Sequence, residues 1–383
     1  MIMTKRLLSA FLLFCPSLLS SSQPLDIGLS YEKIVGAIIL TAEKGDYILF
    51  AGGNDSMAVA RGNNIYIRRH GDSLYVKSAG WPGKITGQAF FKRRSAEGYF
   101  SLRPVIPRLP VSLYDDDLMV FCGSGGLVLV NRIGMEKYVA AVVRAEGGAR
   151  GGDEYFKAQA VLCRTYAVRN DGRHAPEGFS LCDGVHCQAY HGRIMDGDAW
   201  YRAAEATSGL VVTGLDSLPV MAVFHACCGG ETRSAEQAWI SRASHLASIN
   251  DPYCTGTKHS QWTMKIPLER WMSYLHDHGF TQLNFQEGII FSQPHRLRYL
   301  RTGNGSMLLD QVRDDLGLRS SFFDVYCRGS EVVFKGRGYG HGVGLCQEGA
   351  MVMAGRGFTF DRIIRFYYRD VLILDMGNTK QMH

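Results

Sequence analysis

The sequence predicts an α+β protein in which helices and antiparallel or mixed sheets surround a substrate groove, preceded by a β-rich N-terminal region. Short alternating segments separated by Gly, Asn and Asp turns fill the first part of the chain. Helical periodicity starts near residue 135, and helices and strands are mixed from there onward. The chain of 383 residues therefore divides into a leader at 1–22, a β-rich region at 23–127 and a mixed domain at 128–375.

Composition excludes several classes of protein. Hydrophobic residues make up 46% of the chain and charged residues 20%, which is ordinary for a globular protein and excludes general disorder. The formal net charge is +6, and no block of Lys and Arg is long enough to indicate a nucleic-acid partner.

The N-terminus has the pattern of a signal peptide. Lys5 and Arg6 precede the apolar run Leu7–Leu19, and small residues then fit a cleavage site. The run is too short for a permanent membrane span. We expect an exported protein of the periplasm or cell envelope that starts near Gln23, although an uncleaved membrane anchor and a lipidated Cys15 are alternatives.

The β-rich region carries no obvious chemistry. The segments KGDYILF, NNIYIRRH and DSLYVKS are predicted strands, and a supporting or docking module is the expected role. Pro104, Pro107 and Pro110 predict a stiff connector to the domain that follows.

A helix from Met135 places one carboxylate on its apolar side. Glu146 falls on the same stripe as four apolar residues, which are Tyr138, Val139, Val142 and Val143. A carboxyl group held against apolar surface is disfavoured as an anion, so its pKa rises and it can donate a proton near neutrality. The glycines that follow leave room for a ligand. The alternative is a Glu half solvated at a helix end.

The next helix is predicted to start at Asp153 as N-cap. Its core face contains Tyr155, Phe156, Ala160, Cys163 and Ala167. Lys157 and Arg164 share a second line, because seven residues return to almost the same angle. These cations could hold Glu146 or bind a ligand oxygen, or they could form a plain salt bridge.

The segment GRGYGHGVG at 336–344 is predicted as an extended strand. One face would be bare backbone, and the other would carry Arg337, Tyr339, His341 and Val343. Glycines in a strand indicate close approach of a ligand or another backbone, so a groove floor is expected and tight packing against the first helix is the alternative. The last helices are predicted at Gln347–Gly355 and Phe360–Tyr367.

Two sets of cysteines stand out. Cys182, His186 and Cys187, with His174 upstream, could form the closed tetrahedral site of a structural zinc. A Cys182–Cys187 disulfide or free thiols are the alternatives.

In the second set, Cys254 could form a disulfide with either Cys227 or Cys228, pinning the loop that carries Thr232. Nine cysteines follow the leader, and an odd number cannot all pair internally.

These segments together resemble the SpoIID/LytB family, typified by stage II sporulation protein D. The resemblance covers residues 128–370 in the family's order. It rests on EKYVAAVVRAEGG, YFKAQAVLCRTYAVRN, CDGVHCQAY, VFHACCGGETRSAEQAW, DPYC and GRGYGHGVGLCQEGAMVMAGRGF.

The resemblance implies a peptidoglycan lytic transglycosylase acting on glycan strands, with Glu146 as its single catalytic acid and base. It places the family's zinc on the His174, Cys182, His186 and Cys187 region. It also favours a disulfide at Cys227 or Cys228, where many members have serine. Our candidates for contacting the sugars are Lys157, Arg164, Thr232, His341 and Gln347.

Two other functions stay open. One is a non-catalytic enhancer that binds peptidoglycan and assists an N-acetylmuramoyl-L-alanine amidase or other septal or envelope proteins. The other is a hydrolase that uses water and a second carboxylate from Asp153, Asp183 or Glu231.

Overall fold

The computed structural model describes residues 24–53, 55–95, 97–239, 243–280, 290–302 and 305–376. The expected leader at 1–22 lies outside these residues. Within the described ranges, no helix has both the length and the apolar character needed to cross a membrane.

The first part of the chain is built from strands, as the sequence predicts. The strands that form its sheets are β1 Leu25–Leu29, β2 Ala37–Lys44, β3 Tyr47–Phe50, β4 Ser56–Val59, β5 Asn64–His70, β6 Ser73–Ser78, β7 Trp81–Thr86, β8 Gln88–Arg93, β9 Tyr99–Ile106, β10 Ser112–Asp115, β11 Asp117–Cys122, β12 Leu127–Ile133 and β13 Leu181–Cys182. One sheet has seven strands in the order β13-β1-β12-β11-β8-β3-β4, and the other has six in the order β10-β9-β2-β5-β6-β7.

Alternating side chains of the two sheets form a common hydrophobic core. Ile38 and Leu40 of β2 and Tyr47 and Leu49 of β3 are fully buried, which is the period of two that strands impose. The seven-stranded sheet continues past residue 127, because β12 and β13 both pair with β1. The helices that follow are therefore attached to this sheet and share its core.

The expected proline connector is wrong. Pro104 lies inside β9, and the turn from Pro107 to Pro110 joins β9 to β10 within one sheet. These prolines therefore shape an edge of the six-stranded sheet rather than a boundary between domains.

The rest of the chain mixes helices with short strands. The helices are α1 Met135–Gly147, α2 Gly152–Arg169, α3 Ala199–Ala206, α4 Ala235–Trp239, α5 Leu268–Asp277, α6 Leu309–Leu316, α7 Gln347–Gly355 and α8 Phe360–Tyr367, with a 3₁₀ turn at Ala175–Glu177. The strands are β14 Leu210–Thr213, β15 Phe224–His225, β16 Gln261–Pro267, β17 Tyr299–Thr302, β18 Gly305–Leu308, β19 Phe323–Arg328, β20 Glu331–Arg337, β21 Leu345–Cys346 and β22 Leu372–Asp375. The α+β prediction is confirmed.

Helices α1 and α2 form the predicted pair. The apolar stripe of α1 is fully buried, and the predicted core face of α2 is buried with it. The expected Asp153 cap is wrong, since α2 begins one residue earlier with Gly151 as its N-cap at φ 135°. A Cβ atom at Gly151 would lie 2.2 Å from the ring of Tyr155, so glycine is required there.

Residues that follow β15 and precede β21 in the sequence form a second, smaller hydrophobic core. The antiparallel sheet β16-β20-β19 packs with α5 and α6 around Trp271 and Phe334. Helices α7 and α8 then return to the main core at the predicted bounds.

Candidate functional site

Glu146 lies in the last turn of α1 and is half buried. The backbone N–H of Ala189, in the loop after β13, donates to Oε1 of Glu146 at 2.8 Å. Within the described residues, Oε2 has no hydrogen-bond partner. The carboxylate is therefore held at one oxygen and available at the other.

The C-terminal end of α1 is fixed by three side chains. The last carbonyls of a helix have no partner within the helix, so other groups must satisfy them. Nε2 of Gln347 donates to the Glu146 carbonyl at 2.9 Å, Tyr155 donates to Gly147 at 3.2 Å, and Nε1 of Trp200 donates to Gly148 at 3.0 Å. Elements α2, α3 and α7 thus fix the backbone that carries the carboxylate.

Open space adjoins this helix end. Gly148 has φ 68°, and a Cβ atom built there meets nothing within 4 Å. A cleft of about 280 Å³ runs along the same helix, lined by Ala141, Arg144, Ala145, His191, Gly192 and Ile194. The guanidinium of Arg144 lies 5.7 Å from the centre of the Trp200 ring, which places a cation and an aromatic face beside the glycine turn.

Arg164 has a structural environment. Its side chain is 1% exposed, and its guanidinium binds both carboxylate oxygens of Glu136 and the carbonyls of Ala204 and Leu210. Glu136 and Glu146 are ten residues apart on α1, which is about 15 Å along the helix axis. The geometry therefore favours a salt bridge for Arg164 over a contact with Glu146 or with a ligand oxygen.

Lys157 also forms an ion pair. Its ammonium lies 2.6 Å from the carboxylate of Glu154. The other oxygen of Glu154 accepts the backbone N–H of Phe360 at 2.7 Å, at the start of α8. This arrangement satisfies one of the free N–H groups of that helix and joins α2 to α8.

Thr232 is buried, and its hydroxyl accepts the backbone N–H of Ile249 at 2.9 Å. This hydroxyl joins two loop segments. Among the expected sugar contacts, Gln347 alone makes a hydrogen bond to Glu146 in the described part of the chain.

His341 is held between backbone groups. Its Nδ1 accepts the N–H of Val343 at 3.1 Å, so the proton is on Nε2, which donates to the carbonyl of Phe224 at 2.9 Å. Burial lowers the pKa of this imidazole to about 4. Both ring nitrogens are therefore engaged within the protein.

The predicted extended strand at 336–344 is wrong beyond Arg337. Gly338, Gly340, Gly342 and Gly344 all have positive φ, between 72° and 100°. The side chains of Arg337, Tyr339, His341 and Val343 accordingly do not share one face: Val343 is buried, whereas Tyr339 is 43% exposed.

The glycines in this segment are explained by close approach of another backbone. A Cβ atom at Gly344 would lie 2.0 Å from the carbonyl of Val223, and one at Gly338 would lie 2.6 Å from that of Cys227. Tyr339 and Cys227 exchange two backbone hydrogen bonds at 2.8 and 3.1 Å. Chain segments thus fill the space where a groove floor was expected.

A His/Cys cluster forms at the four predicted positions. The ligand atoms of His174, Cys182, His186 and Cys187 all lie within 4.8 Å of one another. The Cys187 sulfur lies 3.4 Å from Nε2 of His174, and Nδ1 of His186 lies 3.7 and 3.8 Å from the two sulfurs.

These separations fit a tetrahedral zinc. Zinc bonds are about 2.3 Å to sulfur and about 2.0 Å to nitrogen, so ligand atoms lie about 3.3–3.8 Å apart. His174 also has Nδ1 2.6 Å from the carboxylate of Glu177, the partner that orients a ligating imidazole. His186 is exposed, and its Nε2 lies 3.3 Å from the guanidinium of Arg173. If Nδ1 binds the metal, Nε2 carries the proton and cannot accept from Arg173, so that side chain must turn away.

The His/Cys cluster lies where the loop meets the N-terminal sheet. Cys182 ends β13, which pairs with β1, and the ring of Tyr31 contacts His174 and His186. Ala189 follows Cys187 by two residues, so this cluster anchors the loop that binds the Glu146 carboxylate.

The second set of cysteines converges as well. The Cys228 sulfur lies 3.3 Å from that of Cys254, whereas the Cys227 sulfur contacts Thr257 at 3.8 Å. The described cysteines are free thiols, so neither expected disulfide is formed, although the Cys228 and Cys254 sulfurs are in contact. Cys346 and Asp251 join this group, although sequence spacing gives no sign of it.

Sequence reasoning also missed Ala189 and Trp200. Ala189 acts through its backbone, which any residue except proline provides, so its identity carries no signal. Trp200 belongs to a short amphipathic helix, and an aromatic side chain in such a helix is normally expected to pack in the hydrophobic core.

Comparisons with known proteins show which family this chain is similar to. The family described as "SpoIID: Stage II sporulation protein" matches residues 123–213, which include α1, α2 and the His/Cys cluster. Stage II sporulation protein D of Bacillus subtilis (strain 168) is 30% identical over 273 residues, covering 64% of this chain and 75% of that protein. That of Bacillus amyloliquefaciens is 28% identical over 271 residues, covering 63% and 74%. The "Amidase enhancer" of Bacillus subtilis (strain 168) is 24% identical over 274 residues, covering 56% and 37%.

Proposed function

This chain belongs to the SpoIID family, and from that premise we propose that it is a peptidoglycan lytic transglycosylase. Its reaction is cleavage of the bond between N-acetylmuramic acid and N-acetylglucosamine in glycan strands, preferentially strands without stem peptides. The products would end in 1,6-anhydro-N-acetylmuramic acid. The observation that carries the proposal is the half-buried Glu146, held at one oxygen beside an open glycine turn.

One carboxyl group can perform both proton transfers. Ala189 binds Oε1 of Glu146, so the transferable proton is on Oε2. Oε2 protonates the glycosidic oxygen as the bond breaks, and then accepts the proton of the muramic acid 6-hydroxyl as that oxygen attacks the anomeric carbon. Because the nucleophile belongs to the substrate, no second carboxylate is required.

Two of the other candidate carboxylates already have hydrogen-bond partners, which favours the same mechanism. A hydrolase needs a second carboxyl group about 5–9.5 Å from the first. Asp183 accepts the backbone N–H groups of Ser30 and Tyr31, and Glu231 contacts Arg296. Asp153 is the exposed member of the three, at the start of α2.

Zinc, if bound by His174, Cys182, His186 and Cys187, would act structurally, since all four ligand positions of a tetrahedral site would be filled by protein. The residues themselves hold the loop that presents Ala189 to Glu146. We place the protein in the periplasm or cell envelope, where its substrate occurs, with retention through an uncleaved N-terminal segment as the alternative.

A second candidate function has specific support. The similarity to a protein named amidase enhancer favours a role in which this chain binds glycan and assists an N-acetylmuramoyl-L-alanine amidase without cleaving. Glu146 would then contribute to binding alone.

The test is product analysis with two variants. Purified protein is incubated with glycan strands lacking stem peptides, and the ends are identified by mass spectrometry. Wild type should give anhydro ends, and Glu146→Gln should lower the rate about 10²–10⁴-fold, the usual contribution of a general acid and base. Glutamine keeps an acceptor for the Ala189 N–H, so binding and folding should persist.

Asp153→Asn is the matched control, because it removes an exposed carboxylate at the start of α2 and should leave the rate unchanged. Ends that contain added water would establish the hydrolase, and a loss of activity in Asp153→Asn would identify Asp153 as its second carboxylate. No cleavage by wild type, but faster amidase turnover in its presence, would establish the enhancer.

A further inference from the structure

A second group of potential metal ligands lies apart from the His/Cys cluster. We name it the three-thiol cluster, and it consists of Cys228, Asp251, Cys254 and Cys346. Their four ligand atoms lie within 4.8 Å of one another, and all four residues are buried. They come from three separate segments of the chain, which β15, β21 and α7 bring together.

Backbone N–H groups point at two of the sulfurs. Cys346 accepts N–H bonds from Cys228 at 3.2 Å and from Gly349 at 3.4 Å, the latter as N-cap of α7. Cys254 accepts the N–H of Gly230 at 3.2 Å. Hydrogen-bond donors and a helix N-terminus both stabilise a thiolate over a thiol, and the thiolate is the form that binds metals.

The carboxylate is oriented in the same manner. Oδ2 of Asp251 lies 3.1 Å from the Cys228 sulfur and accepts the hydroxyl of Tyr367 at 3.0 Å, while Oδ1 accepts the N–H of Tyr253 at 2.9 Å. Such outer hydrogen bonds are typical of ligating carboxylates. The buried guanidinium of Arg296 donates to the Cys228 carbonyl at 2.5 Å and supplies positive charge beside the cluster.

A single disulfide does not account for this arrangement. A bond between Cys228 and Cys254 would use two sulfurs, and it would leave the Cys346 sulfur and the Asp251 carboxylate buried side by side. A buried carboxylate is costly unless it is paired or bound to a metal. A divalent cation at the centre would neutralise part of the charge on all four groups together.

We infer that Cys228, Cys254, Cys346 and Asp251 form a second structural metal site, selective for zinc through its three thiolates and one carboxylate. Such a donor set is closed and tetrahedral, so the metal would have no catalytic role. Gln347 directly follows Cys346 and binds the Glu146 carbonyl, so this site would fix the α7 side of the candidate active site.

The experiment measures zinc in the full chain purified without chelators. Cys346→Ser and Cys254→Ser should each lower the zinc content by one equivalent relative to wild type, whatever the His/Cys cluster binds. Cys327→Ser is the matched control, because this partly exposed thiol lies outside both clusters and its loss should not change the zinc content.

A spectroscopic measurement covers variants that fold poorly. In the His174→Ala/Cys182→Ser background, X-ray absorption of the remaining zinc should show three sulfurs at about 2.3 Å and one oxygen at about 2.0–2.2 Å. Unchanged zinc in Cys346→Ser would overturn the inference. So would a Cys228–Cys254 disulfide found in wild type by peptide mapping under non-reducing conditions.

Discussion

The two clusters both connect to Glu146 through a neighbouring residue and differ in how the chain builds them. The His/Cys cluster comes from one local segment, residues 174–187, and includes an exposed histidine. The three-thiol cluster joins three distant segments and is wholly buried. Each lies within two residues of a contact to Glu146, through Ala189 on one side and Gln347 on the other. The comparison shows that Glu146 is positioned on one side by a cluster built within one short segment and on the other by a cluster built from distant segments.

The largest expected effect is a difference between the two clusters in how much one substitution lowers the free energy of unfolding. Cys346→Ala should lower the free energy of unfolding by about 3–5 kcal/mol, the range for deleting one member of a buried charged group. His186→Ala should cost about 1 kcal/mol or less, because water can reach and replace an exposed group. Thermal unfolding of both variants measures the difference. Equal losses would show that burial does not distinguish the two clusters.

Acidification should lower the stability of the fold through His341, which lies in the glycine-rich segment that precedes Cys346. Burial lowers the pKa of His341 to about 4, so between that value and about 6.5 the unfolded chain binds the extra proton. The contribution of His341 to stability should therefore fall as the pH drops through this window, by about 3 kcal/mol at most. Unfolding midpoints from pH 7 to 4 measure it.

The matched pair for the acid effect is His341→Gln and His70→Gln. The first should make the pH dependence of the unfolding midpoint shallower, with a remainder from His225, whose pKa burial also lowers. The second, at the exposed end of β5, should leave it as in wild type. A wild-type slope in His341→Gln would refute the assignment.

The smallest effect concerns the α7 contact itself. Gln347→Ala removes one hydrogen bond to the Glu146 carbonyl, worth about 1 kcal/mol, so kcat/KM on glycan strands should fall about fivefold. Gln88→Ala, at an exposed position on β8, serves as control. A fall as large as that of Glu146→Gln would mean that Gln347 takes part in the chemistry.

The sequence predicted what depends on local periodicity. The bounds of α7 and α8, the buried stripe of α1 and the four positions of the His/Cys cluster all follow from spacing along one segment. Alternation of glycines was misleading, because the same spacing fits an extended strand and a run of left-handed glycines packed on another backbone.

Long-range partners were not predictable from spacing. Arg164 pairs with Glu136 of α1, which only tertiary packing brings close, whereas Lys157 pairs with Glu154 three residues away on its own helix. Cys346 is 92 residues from Cys254 in the chain, so no pattern connects them. The cost of closing such loops rises only slowly with length, which permits distant thiols to meet.

The group that holds the Glu146 carboxylate is a peptide N–H, and this has a consequence for variation. A side-chain change at residue 189 leaves that donor in place, provided that the new side chain fits its half-buried position. Proline alone lacks the N–H and would release the carboxylate. Related chains can therefore differ freely at this position and still hold the acid, so aligned residue identities would conceal the contact.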